Sequence, residues 1–166
     1  MTDLSYRYSL QACDIIIVFK KSNIFRRSIN KIFGGTLCHY NTSSIFLFLF
    51  DDLCADTTSA GIRNRTLFSY DKENTTIIVA RYLDLEQHQR NTIIEVALHR
   101  ATEKHSFITK KIKNNCYPCT KFITQCFISA GIFLFPGKGV EEVSIDDFME
   151  CALLDKILIN DCKKII

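Results

Sequence analysis

Two periodicities divide the chain. In its first half, apolar residues come in short runs bounded by polar or turn-forming residues. Asp14-Ile-Ile-Ile-Val-Phe19 is one, Ser44-Ile-Phe-Leu-Phe-Leu-Phe50 a second and Thr75-Thr-Ile-Ile-Val-Ala-Arg-Tyr82 a third. Each is rich in β-branched or aromatic residues and predicts a buried strand. Asp51-Asp52 predicts a turn, Leu53-Cys-Ala-Asp-Thr-Thr58 the returning strand of a hairpin, and Ser59-Ala-Gly61 another turn. Between the first two strands, KKSNIFRRSINKIF places Ile24, Phe25, Ser28, Ile29, Ile32 and Phe33 on one helical face, and Gly34-Gly35 ends that helix. From Asp84 the period lengthens. DLEQHQRNTIIEVALHRATEK predicts a helix opened by Asp84 as cap, with Glu86 and Gln87 in its first turn. A further helix is expected over about 120–130, stopped by Gly131. Ser144-Ile-Asp-Asp147 resembles a capping box at the start of a last helical run, with a short strand after it. Strands early and helices late, without regular βαβ alternation, predict an α+β fold. No linker interrupts the pattern, so residues 1–166 are expected to form one domain.

Composition narrows the class. With 47% hydrophobic and 23% charged residues over 166 positions, the chain can build a real core. A formal charge of +3, spread along the chain, gives no argument for nucleic acid. One cluster is the exception: Lys20, Lys21, Arg26, Arg27 and Lys31 lie beside Phe25, Ile29 and Phe33, a pattern suited to peripheral contact with an anionic membrane. The same pattern describes an amphipathic helix packed on a sheet, which is the commoner use of such a face. Eight cysteines would suit a disulfide scaffold, but a chain this long and this rich in Ile and Phe does not need one. The opening MTDLSYRYSL lacks the basic start and apolar stretch of a secretory leader. The expectation is therefore free thiols in a reducing, cytoplasmic compartment.

The chemistry concentrates in NNCYPCTKFITQCFISAGI, residues 114 to 132. Pro118 precedes Cys119 where a helix is expected to begin. A thiol there faces unpaired N–H groups and the positive end of the helix dipole, which favours the thiolate. Cys126, two turns on, suits a buried apolar role, and Cys116 precedes the helix. Three uses are open: a Cys116–Cys119 redox pair, part of a zinc site, or one nucleophile at Cys119. Zinc lacks a second Cys or His pair at ligand spacing, unless Cys38-His39 supplies it. A nucleophilic thiolate needs an imidazole, and that imidazole needs a polar group to orient it. Of four histidines, His88 and His99 lie among charged neighbours on the Asp84 helix, and His105 stands at its end. His39 follows a Gly-Gly turn and enters an apolar strand, as either a core or a site residue.

CTKFITQCFISAGI resembles the nucleophile helix of the circularly permuted NlpC/P60 papain-like hydrolases: Cys119-Thr-Lys-Phe122 matches its start and Ala130-Gly-Ile132 its end. Ser144-Ile-Asp-Asp-Phe148 is similar to that family's following helix start. CDIIIVFKKSNIFRRSINKIFGGTLCHYN is similar to its first strand, basic helix and histidine-bearing strand, which matches its catalytic position to His39. ADTTSAGIRNRTLFSY resembles the next segment, with Asp56 near the acidic position, and TIIVARY the Arg-bearing strand after it. His39 precedes Cys119, as in the permuted group, which includes LRAT-type acyltransferases. The resemblance implies a permuted papain-like fold, an antiparallel sheet packed against helices, and a Cys119–His39–Asp56 site that needs no metal or other cofactor. Asp51 or Asp52 could take the third position instead. The implied reaction attacks an amide or ester carbonyl of a small-molecule, lipid or peptide acyl substrate and passes through a thioester. Backbone N–H groups at the helix start would stabilise the oxyanion, each by about 3 kcal/mol. The surroundings of His39, Cys38-His-Tyr-Asn-Thr42, also fit a catalytically degenerate binding or host-interaction protein on the same scaffold.

Overall fold

The computed structural model describes residues 10–20, 42–51, 53–58, 61–66, 75–102 and 118–159. Among them are six strands: β1 (Ile15–Lys20), β2 (Thr42–Phe50), β3 (Leu53–Thr58), β4 (Gly61–Thr66), β5 (Thr75–Tyr82) and β6 (Leu154–Ile159). They form one sheet in the order β4-β3-β2-β1-β5-β6, and every neighbouring pair is antiparallel. Among the described residues, three α-helices, α1 (Gln87–Thr102), α2 (Pro118–Ser129) and α3 (Ile145–Glu150), lie between β5 and β6 in the chain. The fold is thus mixed α+β, as the periodicities predict, and its sheet is antiparallel.

The unbroken apolar run of β1 follows from its place. It is central, between β2 and β5, and both of its faces are buried. Ile15, Ile17 and Phe19 join Ile45, Leu47 and Leu49 of β2 and Ile78 and Ala80 of β5 on one face. That face packs against Ile93 and Ala97 of α1, Phe122, Ile123, Cys126 and Phe127 of α2, and Phe148 of α3. Ile16 and Val18 gather with Phe46, Phe48, Cys54, Ile77 and Val79 on the other face. A shift of one residue in register would exchange the two sets, so side-chain alternation pins the pairing Ile15↔Leu47 and Ile15↔Ala80.

Polar clamps close the ends of these strands. Asp14, 1% exposed, accepts two bonds from the Arg81 guanidinium, 2.7 Å from Nε and 2.7 Å from Nη2, so the start of β1 is tied to the end of β5. The same carboxylate takes the Gln11 N–H at 2.8 Å and fixes the turn that enters β1. Asp51, at φ +51°, turns β2 into β3, a left-handed conformation that Asp tolerates well.

Two local expectations change. Gly61-Ile-Arg-Asn-Arg-Thr66 forms β4, although its polar sequence carries no strand pattern. It is an edge strand, paired with β3 from Leu53↔Thr66 to Thr58↔Gly61 and met by the helix at Gln87–Thr102. Helix α1 begins at Gln87, so Asp84 does not cap it. Strand β5 continues to Tyr82 through its pairing with Leu154, which leaves residues 83 and 84 as a turn. The cap is Glu86: its carbonyl takes the Arg90 N–H at 2.9 Å, and its N–H is held by the Gln89 side chain at 3.1 Å. Helix α2 begins at Pro118, where the Pro118-Cys119 pair predicts it, and a residue without an N–H costs nothing in the first turn. Its end agrees with expectation. Gly131 takes φ +78°, while the Ile132 N–H reaches the Phe127 carbonyl and the Gly131 N–H reaches that of Ile128, a Schellman ending. The helix expected between β1 and β2, with Lys21, Arg26, Arg27 and Lys31, lies outside the described residues, and Lys20 ends β1. No described helix is long and apolar enough to cross a membrane.

Candidate active site

Cys119 is the second residue of α2, and two contacts hold that end of the helix in place. The Thr120 hydroxyl donates to the Val143 carbonyl at 2.7 Å. Lys121 pairs with Glu141. Ser144 caps α3 by accepting the Asp147 N–H, while the Asp147 carboxylate takes the Ser144 N–H at 2.8 Å, the capping box read from the sequence. The loop from Ile132 to Val143 therefore braces α2 from outside, and the apolar side of α2 presses on β2 and β3.

The half-buried Cys119 sulfur meets β3. The Thr57 hydroxyl donates to Sγ at 2.8 Å across 62 residues of sequence. Alternation along β3 explains the encounter: Ala55 belongs to the helix-facing core and Cys54 to the opposite face. Thr57 shares the face of Ala55, while Asp56 shares that of Cys54. Asp56 is 6% exposed, engages other groups of the protein, and sits opposite Arg63 in the β3–β4 ladder.

The electrostatics of Cys119 reverse the expectation drawn from its position at a helix start. Burial pushes its thiol pKa up. The Thr57 hydroxyl pulls it down, the Asp56 charge raises it again, and the N–H groups of Cys119 and Thr57 lower it. The balance stays above the ordinary thiol value, because desolvation of the sulfur outweighs the donors.

His39 and Cys116 lie outside the described residues, as does His105. Cys119 itself carries a free thiol. Cys126 is fully buried, and burial, opposed by Arg100, pushes its pKa up to about 12, in keeping with the apolar role expected of it. His88 and His99 are exposed on α1, and His88 lies 3.1 Å from the Glu86 carboxylate. Asp51 stands at the β2–β3 turn, whereas Asp56 is close enough to the sulfur for its charge to be felt there. Among the described residues no group of three or more His, Cys, Asp or Glu gathers as metal ligands would. Sequence reading missed Thr57. An Asp-Thr-Thr run on a strand offers hydroxyls to both faces, and only the docking of α2 selects one of them.

No protein-family model matches the chain, and no curated protein matches it.

Proposed function

We propose that the protein is a cysteine-dependent hydrolase or acyltransferase on the permuted papain-like NlpC/P60 plan. Cys119 is its nucleophile, His39 its general base and Asp56 the acidic partner of the ring. The observation that carries this reading is the seating of Cys119. Its sulfur stands in the first turn of a braced helix, against an antiparallel sheet, with a hydroxyl donor at 2.8 Å. Thiolate attack on an amide or ester carbonyl gives a thioester and releases an amine or alcohol that takes the proton held by His39. Water or a second acceptor then takes the acyl group. The acyl donor is a small molecule, a lipid or a peptide. If the basic segment from Lys20 to Lys31 brings the enzyme to an anionic membrane, R26E/R27E abolishes its sedimentation with phosphatidylserine vesicles.

The test is covalent capture. A cysteine-directed acyloxymethyl ketone is expected to label Cys119 in the wild type, with capture lost in His39→Ala and slowed less severely in Asp56→Asn. Equal labelling of the wild type and His39→Ala rejects the enzyme reading.

One observation favours a second reading. A buried thiol whose pKa is raised is a poor nucleophile, which suits a binding protein that keeps the scaffold and not the chemistry. Failure of Cys119 to react with the same electrophile in the folded wild type supports that reading.

A further inference from the structure

We infer that Thr57 is a positioning residue for Cys119, and that its hydroxyl holds the sulfur in place and favours the thiolate over the thiol. The inference rests on the reading of Cys119 as a nucleophile, and its geometry is independent of His39.

A neutral thiol is a weak hydrogen-bond acceptor, whereas a thiolate is a strong one. A hydroxyl that donates to Sγ at 2.8 Å therefore stabilises the charged form more than the neutral form. The sulfur needs such help, because burial and the nearby Asp56 carboxylate both oppose ionisation. The donor is also well fixed. Thr57 lies in β3 opposite Ile62 of β4, two residues beyond the last pairing with β2 at Ala55, and its β-branched side chain has few rotamers. On the other side, Thr120 and Lys121 hold the helix that carries Cys119. The hydroxyl and the sulfur are thus presented to each other by two rigid elements, which is what preorganisation of a reacting group requires.

Thr57→Val keeps the shape of the side chain and removes the donor, while Thr57→Ser keeps the donor. The measurement is the pH dependence of iodoacetamide alkylation at Cys119, read on the Cys119 peptide by mass spectrometry, with circular dichroism as a check of folding. Thr57→Val is expected to move the midpoint up by about one pH unit, a tenfold loss of thiolate at a given pH below it. Thr57→Ser is expected to keep the wild-type midpoint. A Thr57→Val midpoint equal to wild type overturns the inference. So does a Thr57→Ser midpoint shifted as far as that of Thr57→Val, which would mark a packing effect. If Thr57→Val unfolds, Thr57→Ser and Thr57→Ala carry the same comparison of donor present with donor absent. Repeating the series in His39→Ala separates the two proposals: the Thr57 shift is expected to persist there even if no catalysis is found.

Discussion

The Asp14–Arg81 clamp is the polar interaction whose removal should cost the sheet most. Asp14 is 1% exposed and receives three bonds, two from Arg81 and one from the Gln11 N–H, while the Arg81 side chain is 15% exposed. Arg81→Met keeps much of the apolar stem and strands the carboxylate away from water. Breaking a buried pair from one side costs about 3–5 kcal/mol. For a chain of this length, about 2–4 °C of Tm accompanies each kcal/mol, so the fall should be about 6–20 °C. The control is Glu141→Gln, which removes a pair whose acid is 71% exposed and should cost less than about 1 kcal/mol. Urea denaturation gives both values. Asp14→Asn placed in the Arg81→Met background removes the stranded charge, keeps an acceptor for Gln11, and should recover part of the loss. An Arg81→Met cost no larger than that of Glu141→Gln would refute the reasoning, as would a double variant less stable than Arg81→Met alone.

Further outcomes follow from the same contacts. Phe148, fully buried and edge-on to Phe135 at 4.8 Å, should cost about 3–5 kcal/mol on truncation to Ala, measured by urea denaturation. Burial raises the Asp147 pKa, but the Lys138 side chain and the Ser144 N–H and hydroxyl outweigh it and hold the carboxyl below its ordinary value. Its contribution is therefore present above the unfolded-state pKa and lost as pH falls through the folded-state one. The stability gap between wild type and Asp147→Asn should accordingly close from pH 6 to pH 3, and a constant gap would contradict the assignment. Cys13 and Cys126, each pushed by burial up to about 12, should resist iodoacetamide at pH 8 in the folded protein and react in urea; rapid labelling in the native state would contradict their burial.

What the sequence discloses follows from how much apolar surface each element buries. Strands β1, β2 and β5 announce themselves because Ile16, Phe46, Val79 and their neighbours fill both faces of a central sheet. Local chemistry announces the ends of α2 and α3, through Pro118, Gly131 and the Ser144–Asp147 box. Strand β4 is silent because an edge strand can be held by backbone bonds that leave no mark on its side chains. The start of α1 is set by how far β5 runs along β6, a partner more than seventy positions away in the chain, so the cap moves from Asp84 to Glu86. The candidate site divides in the same way. Cys119 is legible from a proline, a helix start and a family-like ending. Thr57 is not, because its meeting with Cys119 is made by tertiary docking alone. The sign of the Cys119 pKa shift is hidden for the same reason: a helix terminus favours a thiolate, and only packing reveals the larger cost of desolvating it.

The central claim, that Cys119 and His39 share a proton, is tested most directly by NMR titration of the His39 ring in the wild type and in Cys119→Ser. A thiolate beside an imidazolium raises the ring pKa, so replacing the sulfur by a hydroxyl should lower the His39 midpoint by about 1–3 units. An identical His39 midpoint in the two proteins would contradict the account.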